Sequence, residues 1–239
     1  MGTNSPGPRR LLVFYGSQRG AIMFRAHIRA VSASVIITLG LMSSGMWAAD
    51  TTQAAADAST VQDRLIATKT TALLNDPMTP VIGNPKADVA IIEFFDYTCP
   101  YCKAAEPRLE KLLKDDNGVK LIVKEFPILT PESVVAAKAS LASVKQGKYA
   151  QYHQAMMMFK GRLQESAIFD VAKDVGLNVE QLKKDMVAPE IADEIIATFN
   201  LARAIRAFQT PVFIVDNHLV TEPSAEIDFP KLVAAARRK

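Results

Sequence analysis

Both cysteines of the chain, Cys99 and Cys102, lie in one short segment between an apolar run and a helical pattern. The apolar run Val89–Phe95 shows almost no polar alternation, which predicts a strand covered on both faces. A helix is predicted over 99–114 and a second strand over 119–126. Strand, helix and strand in this order form a right-handed unit with two parallel strands. The cysteines are therefore expected at the N-terminus of the helix that connects those strands.

The segment Cys99-Pro100-Tyr101-Cys102 suits thiol chemistry at that position. A helix N-terminus offers unpaired N–H groups and the positive end of the helix dipole, and both favour a thiolate. The thiolate is the attacking species in disulfide exchange. We therefore predict that Cys99 is the nucleophile and that Cys102, about one turn further along, is the resolving thiol. Pro100 fits the first helical turn, where no backbone N–H is needed.

Two other roles for the cysteines stay open at this point. A zinc site needs four ligands, and the remaining candidates, His153 and His218, are distant in sequence. An inert structural disulfide is the second alternative, although bridging so short a loop would stabilise the fold little. A c-type haem site is excluded, because the residue after Cys102 is Lys103 and not histidine.

The rest of the chain predicts a small sheet interrupted by helices. From Thr130 the apolar residues follow a helical period, with five helices predicted over 131–147, 148–159, 166–175, 179–186 and 189–207. A strand over 211–215, a hairpin turn at Asp216-Asn217, a partner strand over 218–221 and a helix over 228–236 follow. With a short strand and turn over 81–85, the prediction is an α/β fold whose sheet comes from 77–129 and 209–239, with an all-helical insertion over 130–208.

The first 49 residues are typical of a secretory signal peptide. Arg25 and Arg29 precede a short apolar run and a small-residue segment that ends near Ala48 and Ala49. The run is shorter than the about 20 residues of a membrane span, although a retained membrane anchor is the alternative. Residues 1–22 are not needed for such a leader, because a start at Met23 would suffice. Export would place the chain in the periplasm, an oxidising compartment in which paired cysteines form disulfides.

The basic charge of the chain belongs to this leader. The net charge is +3, and residues 1–49 contain five arginines and no acidic residue, so the remaining residues carry +3 minus 5, which is −2. A nucleic-acid partner is therefore not expected. Residues 50–76 are predicted to form a loose linker and a weakly amphipathic helix from Val61 to Leu74. That helix either packs on its own domain or mediates oligomerisation.

Two further features concern the predicted strands. Glu93 interrupts an otherwise apolar strand, where a buried carboxylate would need a partner or a raised pKa. Lys124, on the adjacent predicted strand, is the expected partner. Glu93 then acts either as the proton acceptor for Cys102 or as an edge residue that faces water. Thr210-Pro211 opens the later strand, and its peptide bond is either a functional cis bond or an ordinary trans bond at a strand start.

The segment Glu-Phe-Phe-Asp-Tyr-Thr-Cys-Pro-Tyr-Cys, the helical insertion and the later Thr-Pro together resemble the DsbA-like thiol:disulfide oxidoreductases of the thioredoxin superfamily. Among them the chain is similar to periplasmic members such as the ScsC copper-tolerance proteins. The resemblance spans about residues 76–235 and implies a thioredoxin-like fold. It implies Pro211 as a cis-proline beside Cys99, Thr210 as the residue that tunes this cysteine, Glu93 as the buried acid and Lys124 as its basic neighbour.

The chain departs from the family pattern at two places. Ala207-Phe208-Gln209 stands where a glycine is usual, so that loop is expected to have a different shape. Tyr101 replaces the histidine of the strongest oxidants in the family, and a tyrosine supplies no cation near Cys99, so a milder oxidant is expected. Met156-Met157-Met158 beside His153 is expected to fill the core or to form an adaptable docking surface, with copper binding as the alternative.

These features predict an exported enzyme whose only redox group is the Cys99–Cys102 pair, with no metal or other cofactor. Its expected partners are unfolded or thiol-containing exported proteins and a membrane redox protein that recycles the disulfide. The same two sulfurs serve an oxidase, an isomerase or a reductase, including one that acts in copper stress. A non-catalytic module that binds metal through the two thiols is the alternative from a different class.

Overall fold

A five-stranded mixed sheet forms the centre of the computed structural model, which describes residues 60–220 and 222–238. The strands are β1 (Val81–Gly83), β2 (Val89–Phe95), β3 (Val119–Glu125), β4 (Val212–Val215) and β5 (His218–Leu219), in the order β1-β3-β2-β4-β5. β2 and β3 are parallel, as predicted, and the other pairs are antiparallel. The α/β thioredoxin-like fold is thereby confirmed.

The register of β2 and β3 decides which side chains share a face of the sheet. Glu93 lies opposite Val123, and the next pair is Phe94 opposite Lys124. Because successive side chains of a strand point to opposite faces, Glu93 and Lys124 project from opposite sides. Buried apolar side chains cover both faces, which explains the nearly continuous apolar sequence of β2.

Helix α3 (Pro100–Asp115) covers the face of the sheet to which Glu93 belongs. Cys99 is its N-cap residue, with extended backbone angles, and Pro100 is in its first turn. The buried side of the helix carries the residues expected to face the sheet, Cys102, Ala105, Glu106, Leu109 and Leu112. The predicted location of the cysteines at a strand-to-helix junction is therefore correct.

The residues between β3 and β4 are mainly helical, and the helices end earlier than the sequence pattern indicates. They are α4 (Pro131–Ser143), α5 (Tyr149–Met158), α6 (Glu165–Asp174), α7 (Val179–Asp185) and α8 (Pro189–Ala204). After α4 the chain forms a 3-10 turn, Val144–Gln146, and Gly147 leaves it with a φ of 66°. α8 ends before Ala207, because Arg206 adopts a φ of 58° and Ala207 N–H donates to the Ala202 carbonyl. Helix α9 (Phe229–Ala236) closes the fold.

The helix predicted from Val61 to Leu74 is two helices. The described chain begins with α1 (60–67), which a turn at Thr68 and Lys69 separates from α2 (Thr70–Leu74). Ile66 and Leu73 are fully buried against the face of the sheet that is opposite α3. These helices therefore pack on their own domain, and an oligomer formed through them stays a prediction.

The leader over 1–49 and the linker over 50–59 lie outside the described residues. Within the described part of the chain, none of the helices combines the length and apolar character that crossing a membrane requires.

Candidate active site

The two thiols lie at the start of α3 and have opposite acidities. Cys99 is 2% exposed and Cys102 is fully buried, and the sulfurs are not joined. The pKa of Cys99 is lowered to about 6, chiefly because the Cys102 thiol hydrogen-bonds to it, with the backbone N–H groups of Tyr101 and Cys102 acting in the same direction against burial. At neutral pH Cys99 is therefore a thiolate, which is the nucleophilic form.

Cys102 has the opposite character. Burial raises its pKa far above the usual range, and the hydrogen bond to Cys99 and the negative charge of Glu93 raise it further. This thiol therefore keeps its proton until a base accepts it. The pair consists of one ionised sulfur and one protonated sulfur, which is the division of roles that disulfide exchange requires.

The residues predicted to support Cys99 surround it. The Thr210–Pro211 peptide bond is cis, and the Cys99 sulfur lies 3.3 Å from the Thr210 carbonyl oxygen, to which it donates when it is protonated. The side chain of Thr210 is one of the groups whose hydrogen bonds lower the pKa of Cys99. Tyr101 is 65% exposed, so it is available to an incoming molecule.

Two cavities open near this centre. One, of about 590 Å³, lies beside Pro211 and is lined by Tyr101, Phe208 and Val220 among others. Phe208, which replaces part of the expected glycine loop, is 70% exposed at its edge. The other, of about 550 Å³, is lined by residues that include Tyr97, Pro100 and Arg162. Residues within two positions of Cys99 therefore line both cavities.

Glu93 is fully buried on the central strand β2, so the alternative in which it faces water is wrong. Neither of its carboxyl oxygens has a hydrogen-bond partner in the described part of the chain. Burial raises its pKa well above the usual range, and the charges of Glu106 and Cys99 act in the same direction. A carboxylate whose pKa is raised in this way binds a proton tightly. This is the property that a proton acceptor for the Cys102 thiol needs.

The prediction that Lys124 is the partner of Glu93 is wrong. Lys124 is also fully buried, but it projects from the opposite face of the sheet because its register position is shifted by one residue. Its ammonium group donates a hydrogen bond to the Thr79 hydroxyl and lies 3.4 Å from both Asp76 Oδ2 and the Ala72 carbonyl oxygen. Lys124 thus ties the segment after α2 to the sheet, away from the thiols.

Asp96 is a supporting residue that the sequence reasoning did not identify. Its side chain accepts five hydrogen bonds, at 2.7 to 3.0 Å, from the backbone and side-chain groups of Thr98, Ser133, Ile128 and Leu129. These bonds fix the segment before Cys99 against the start of α4. The position of Asp96 directly before the cysteine motif was a signal for this role.

Lys103, which excludes a haem site, also has a structural role that the sequence does not indicate. Its ammonium group donates to the carbonyls of Met156, Met157 and Phe159, at 2.8, 3.1 and 3.1 Å. Lys103 thereby adds a donor to the carbonyls at the end of α5 and links the helical insertion to α3. Met156 and Met157 are buried in the core, as the core-filling interpretation predicted.

Within the described residues no group of three or more His, Cys, Asp and Glu side chains is arranged to hold a metal ion.

Comparisons with known proteins agree with this geometry. The model of a family described as Thioredoxin matches residues 75–235. A thioredoxin-like oxidoreductase from Silicibacter pomeroyi has 40% sequence identity and a TM-score of 0.66, with 71% of this chain and 98% of that one covered. The thiol-disulfide exchange protein alpha-DsbA2 of Wolbachia pipientis has 27% identity and a TM-score of 0.68, covering 75% and 96%. The catalytic domain of Proteus mirabilis ScsC has 25% identity and a TM-score of 0.64, covering 74% and 97%.

Among curated proteins, a putative protein-disulfide oxidoreductase of Rickettsia typhi is 28% identical over 163 residues, covering 62% of this chain and 60% of the relative. The Na(+)/H(+) antiporter NhaA 3 of Salinispora tropica is 26% identical over 138 residues, which are 57% of this chain and 21% of that protein. The chain thus spans about a fifth of the antiporter and three fifths of the rickettsial protein.

Proposed function

Because the chain belongs to the thioredoxin family whose model covers residues 75–235, we propose that it is an exported protein thiol:disulfide oxidoreductase. It exchanges the Cys99–Cys102 disulfide or dithiol with substrate proteins through a mixed disulfide. The observation that carries the proposal is the opposite shift of the two thiol pKa values, which lowers that of Cys99 to about 6 and raises that of Cys102.

The reductive direction begins with the Cys99 thiolate. Its sulfur attacks one sulfur of a substrate disulfide, so that a bond from Cys99 to the substrate forms and the other substrate sulfur leaves as a thiolate. Cys102 then gives its proton to the Glu93 carboxylate and attacks the Cys99 sulfur. The Cys99–Cys102 disulfide forms, and the second substrate sulfur leaves with the electron pair. The protein is oxidised and the substrate is reduced by two electrons.

The oxidising direction is the reverse of these steps. A substrate thiolate attacks Cys99 in the disulfide, and Cys102 leaves as a thiolate that takes the proton back from Glu93. A second substrate thiolate then attacks the first substrate sulfur, so that the substrate disulfide forms and Cys99 leaves as a thiolate. The exposed aromatic side chains of Tyr101 and Phe208 beside the reactive sulfur suit unfolded polypeptides, which expose apolar segments. The sequence pattern of the leader supports a periplasmic location, in which a membrane redox partner would restore the starting state.

Activity assays with matched variants test the proposal. The parent protein is expected to reduce insulin or to reactivate scrambled ribonuclease, and Cys99→Ser is expected to abolish both activities. Equilibration of the Cys99–Cys102 pair with glutathione then gives the reduction potential, which separates a donor from an acceptor of disulfides. Tight stoichiometric binding of copper or zinc by the reduced protein, with no exchange activity, would instead identify a metal-binding module.

A further inference from the structure

Two exposed aromatic side chains line the Pro211 cavity, which is the cavity of about 590 Å³ beside that residue. Phe208 is 70% exposed and Tyr101 is 65% exposed, and both line the cavity together with Leu219 and Val220. Large apolar side chains that are exposed together around a concave surface are typical of binding sites. These side chains are therefore available to a bound molecule.

The backbone directly before Phe208 is fixed by hydrogen bonds and by burial. Arg206 has a φ of 58°, and the Ala207 N–H donates to a carbonyl of α8 at 2.8 Å. The side chain of Ala207 is buried in the core. From α1, Gln62 Nε2 donates to the carbonyls of Ile205 at 3.0 Å and of Arg206 at 3.3 Å. The core and α1 together therefore determine where Phe208 lies.

Helix α1 also holds a second part of the cavity lining. Asp63, the residue after Gln62, accepts a hydrogen bond from the Leu219 N–H of β5 at 2.9 Å. Gln62 and Leu219 both line the Pro211 cavity. Because two neighbouring residues of α1 bind the end of α8 and β5, the helix joins two parts of the lining. A change in the contacts of α1 would therefore change the shape of the cavity.

The short distance between this cavity and the reacting sulfur determines its occupant. Thr210 is part of the lining, and its carbonyl oxygen is 3.3 Å from the Cys99 sulfur. A substrate sulfur bonded to Cys99 would lie about 2.0 Å from it, and consecutive Cα atoms of a chain are about 3.8 Å apart. The residues beside a substrate cysteine are therefore within reach of the Pro211 cavity.

The lining of the Pro211 cavity favours an apolar side chain of the substrate. Its charged residues, Arg206 and Glu222, have opposite signs, so the lining has no net charge that would attract an ion. Aromatic side chains such as Tyr101 and Phe208 offer a large apolar contact area. The other cavity near Cys99 is lined by several ionisable side chains, which are Lys103, Glu132, Lys160 and Arg162. An apolar residue beside the substrate cysteine is therefore expected in the Pro211 cavity.

We propose that Phe208 is a specificity-determining residue that selects substrate segments with a large apolar side chain beside the reacting cysteine, and that Gln62 is the positioning residue that holds Phe208 in place. The inference rests on the proposed function and narrows its substrate class to polypeptides whose cysteine has apolar neighbours. Unfolded chains expose such segments, whereas folded proteins mostly bury them. Phe208 belongs to the segment that replaces the usual glycine of the family, and a glycine would offer no side chain for this contact.

Two peptides that differ only beside the cysteine test the proposal in stopped-flow kinetics. Each is N-acetyl-Ser-Xaa-Cys-Xaa-Ser-amide joined through its cysteine to 2-nitro-5-thiobenzoate, with leucine or serine at both Xaa positions. The Cys99 thiolate attacks the peptide sulfur, a disulfide from Cys99 to the peptide forms, and the coloured thiolate leaves with the electron pair of the broken bond. Each rate constant is divided by that of the same peptide with free glutathione, which corrects for intrinsic reactivity.

The parent protein is expected to prefer the leucine peptide about tenfold, which corresponds to about 1.4 kcal/mol. The preference is expected in the half-saturating peptide concentration and not in the limiting rate, because the apolar contact is made equally before and during the attack.

Phe208→Ser is expected to lower the leucine preference to about threefold or less, while the rate with the serine peptide stays within about twofold of the parent rate. The unchanged serine rate shows that the fold and Cys99 are intact. Val187→Ser is the matched control, because Val187 is also an exposed apolar residue but lines neither cavity. This control is expected to keep the parent preference.

Gln62→Glu tests the positioning role, because a carboxylate has nearly the same shape and no proton to donate to the carbonyls of Ile205 and Arg206. It is expected to lower the preference to about threefold by raising the half-saturating concentration of the leucine peptide, with the limiting rate unchanged. Gln62→Lys keeps a donor at this position and is expected to retain at least about half of the preference. Arg64→Gln is the control for charge, since it changes an exposed residue of α1 by the same −1.

Different outcomes overturn the different parts of the proposal. Equal corrected rates for the two peptides in the parent, or a full preference in Phe208→Ser, would overturn the specificity. A Gln62→Glu variant that keeps the full preference, or that slows both peptides equally, would overturn the positioning role. An Arg64→Gln variant that loses as much preference as Gln62→Glu would overturn it too. A parent protein whose Cys99 reacts with neither peptide would instead overturn the proposed function.

Discussion

Removal of the Cys102 side chain is predicted to raise the pKa of Cys99. The lowering of this pKa from 9.0 to about 6 corresponds to about 4 kcal/mol in favour of the thiolate. Its largest cause is the hydrogen bond from the Cys102 thiol, and a hydrogen bond to a charged group contributes about 1.5 to 3 kcal/mol. Cys102→Ala is therefore expected to raise the pKa by about one to two units, to about 7 to 8. The thiolate fraction at pH 7 would fall from about 90% to between about 50% and 10%.

Thiolate absorbance at 240 nm measures this pKa directly, because Cys99 is the only thiol left in the variant. Cys102→Ser is the matched control, since its hydroxyl retains a donor at the same position and is expected to keep the pKa closer to 6. Cys99→Ala should show no thiolate at neutral pH, because the pKa of the remaining thiol is raised. A Cys99 that titrates near 9 in the parent, or near 6 in Cys102→Ala, would refute the reasoning.

Three further predictions concern stability. Glu93→Gln is expected to become more stable than the parent as the pH rises from about 4.5 to the raised pKa of folded Glu93, by up to about 1.4 kcal/mol for each pH unit, because in this range the unfolded parent releases the Glu93 proton while the folded parent keeps it. Urea unfolding at pH 4 and pH 8 measures the gain, and an equal difference at both pH values would contradict it. Lys103→Met is expected to cost about 2 to 3 kcal/mol in thermal unfolding, since three hydrogen bonds from its ammonium group are lost. The exposed Lys114→Met should cost less than about 0.5 kcal/mol, and equal losses would argue against the link to α5. Asp96→Asn is expected to lower the free energy of unfolding in guanidinium by about 2 to 4 kcal/mol, because its side chain accepts five hydrogen bonds. The exposed Asp115→Asn is the control and should lower it by almost nothing. A loss below about 1 kcal/mol in Asp96→Asn would contradict this role.

The elements that local sequence determines were predicted well. An uninterrupted apolar run marked β2, and a cysteine followed by proline marked the start of α3, because both signals come from neighbouring residues. The predicted helix ends were less accurate. Helix α8, for example, ends before Arg206, a residue with left-handed backbone angles, and no glycine in the sequence indicates this end. A non-glycine residue in this conformation carries no reliable local signal.

The side-chain partners within the site could not be predicted in the same way. Lys124 and Glu93 lie on adjacent strands, but one step of register sends them to opposite faces of the sheet, and register depends on the packing of the whole fold. The bonds from Lys103 and Tyr97 to α5 join residues more than fifty positions apart. A single sequence contains no direct record of such contacts.

The central claim is that Cys99 forms the covalent bond with the substrate and that Cys102 breaks it. Incubation of Cys102→Ser with scrambled ribonuclease, followed by a non-reducing gel and mass spectrometry, tests this claim most directly. We expect a stable adduct joined through Cys99, which Cys99→Ser does not form and which the parent forms only briefly. An adduct joined through Cys102 in Cys99→Ser, or the absence of any adduct in Cys102→Ser, would contradict it.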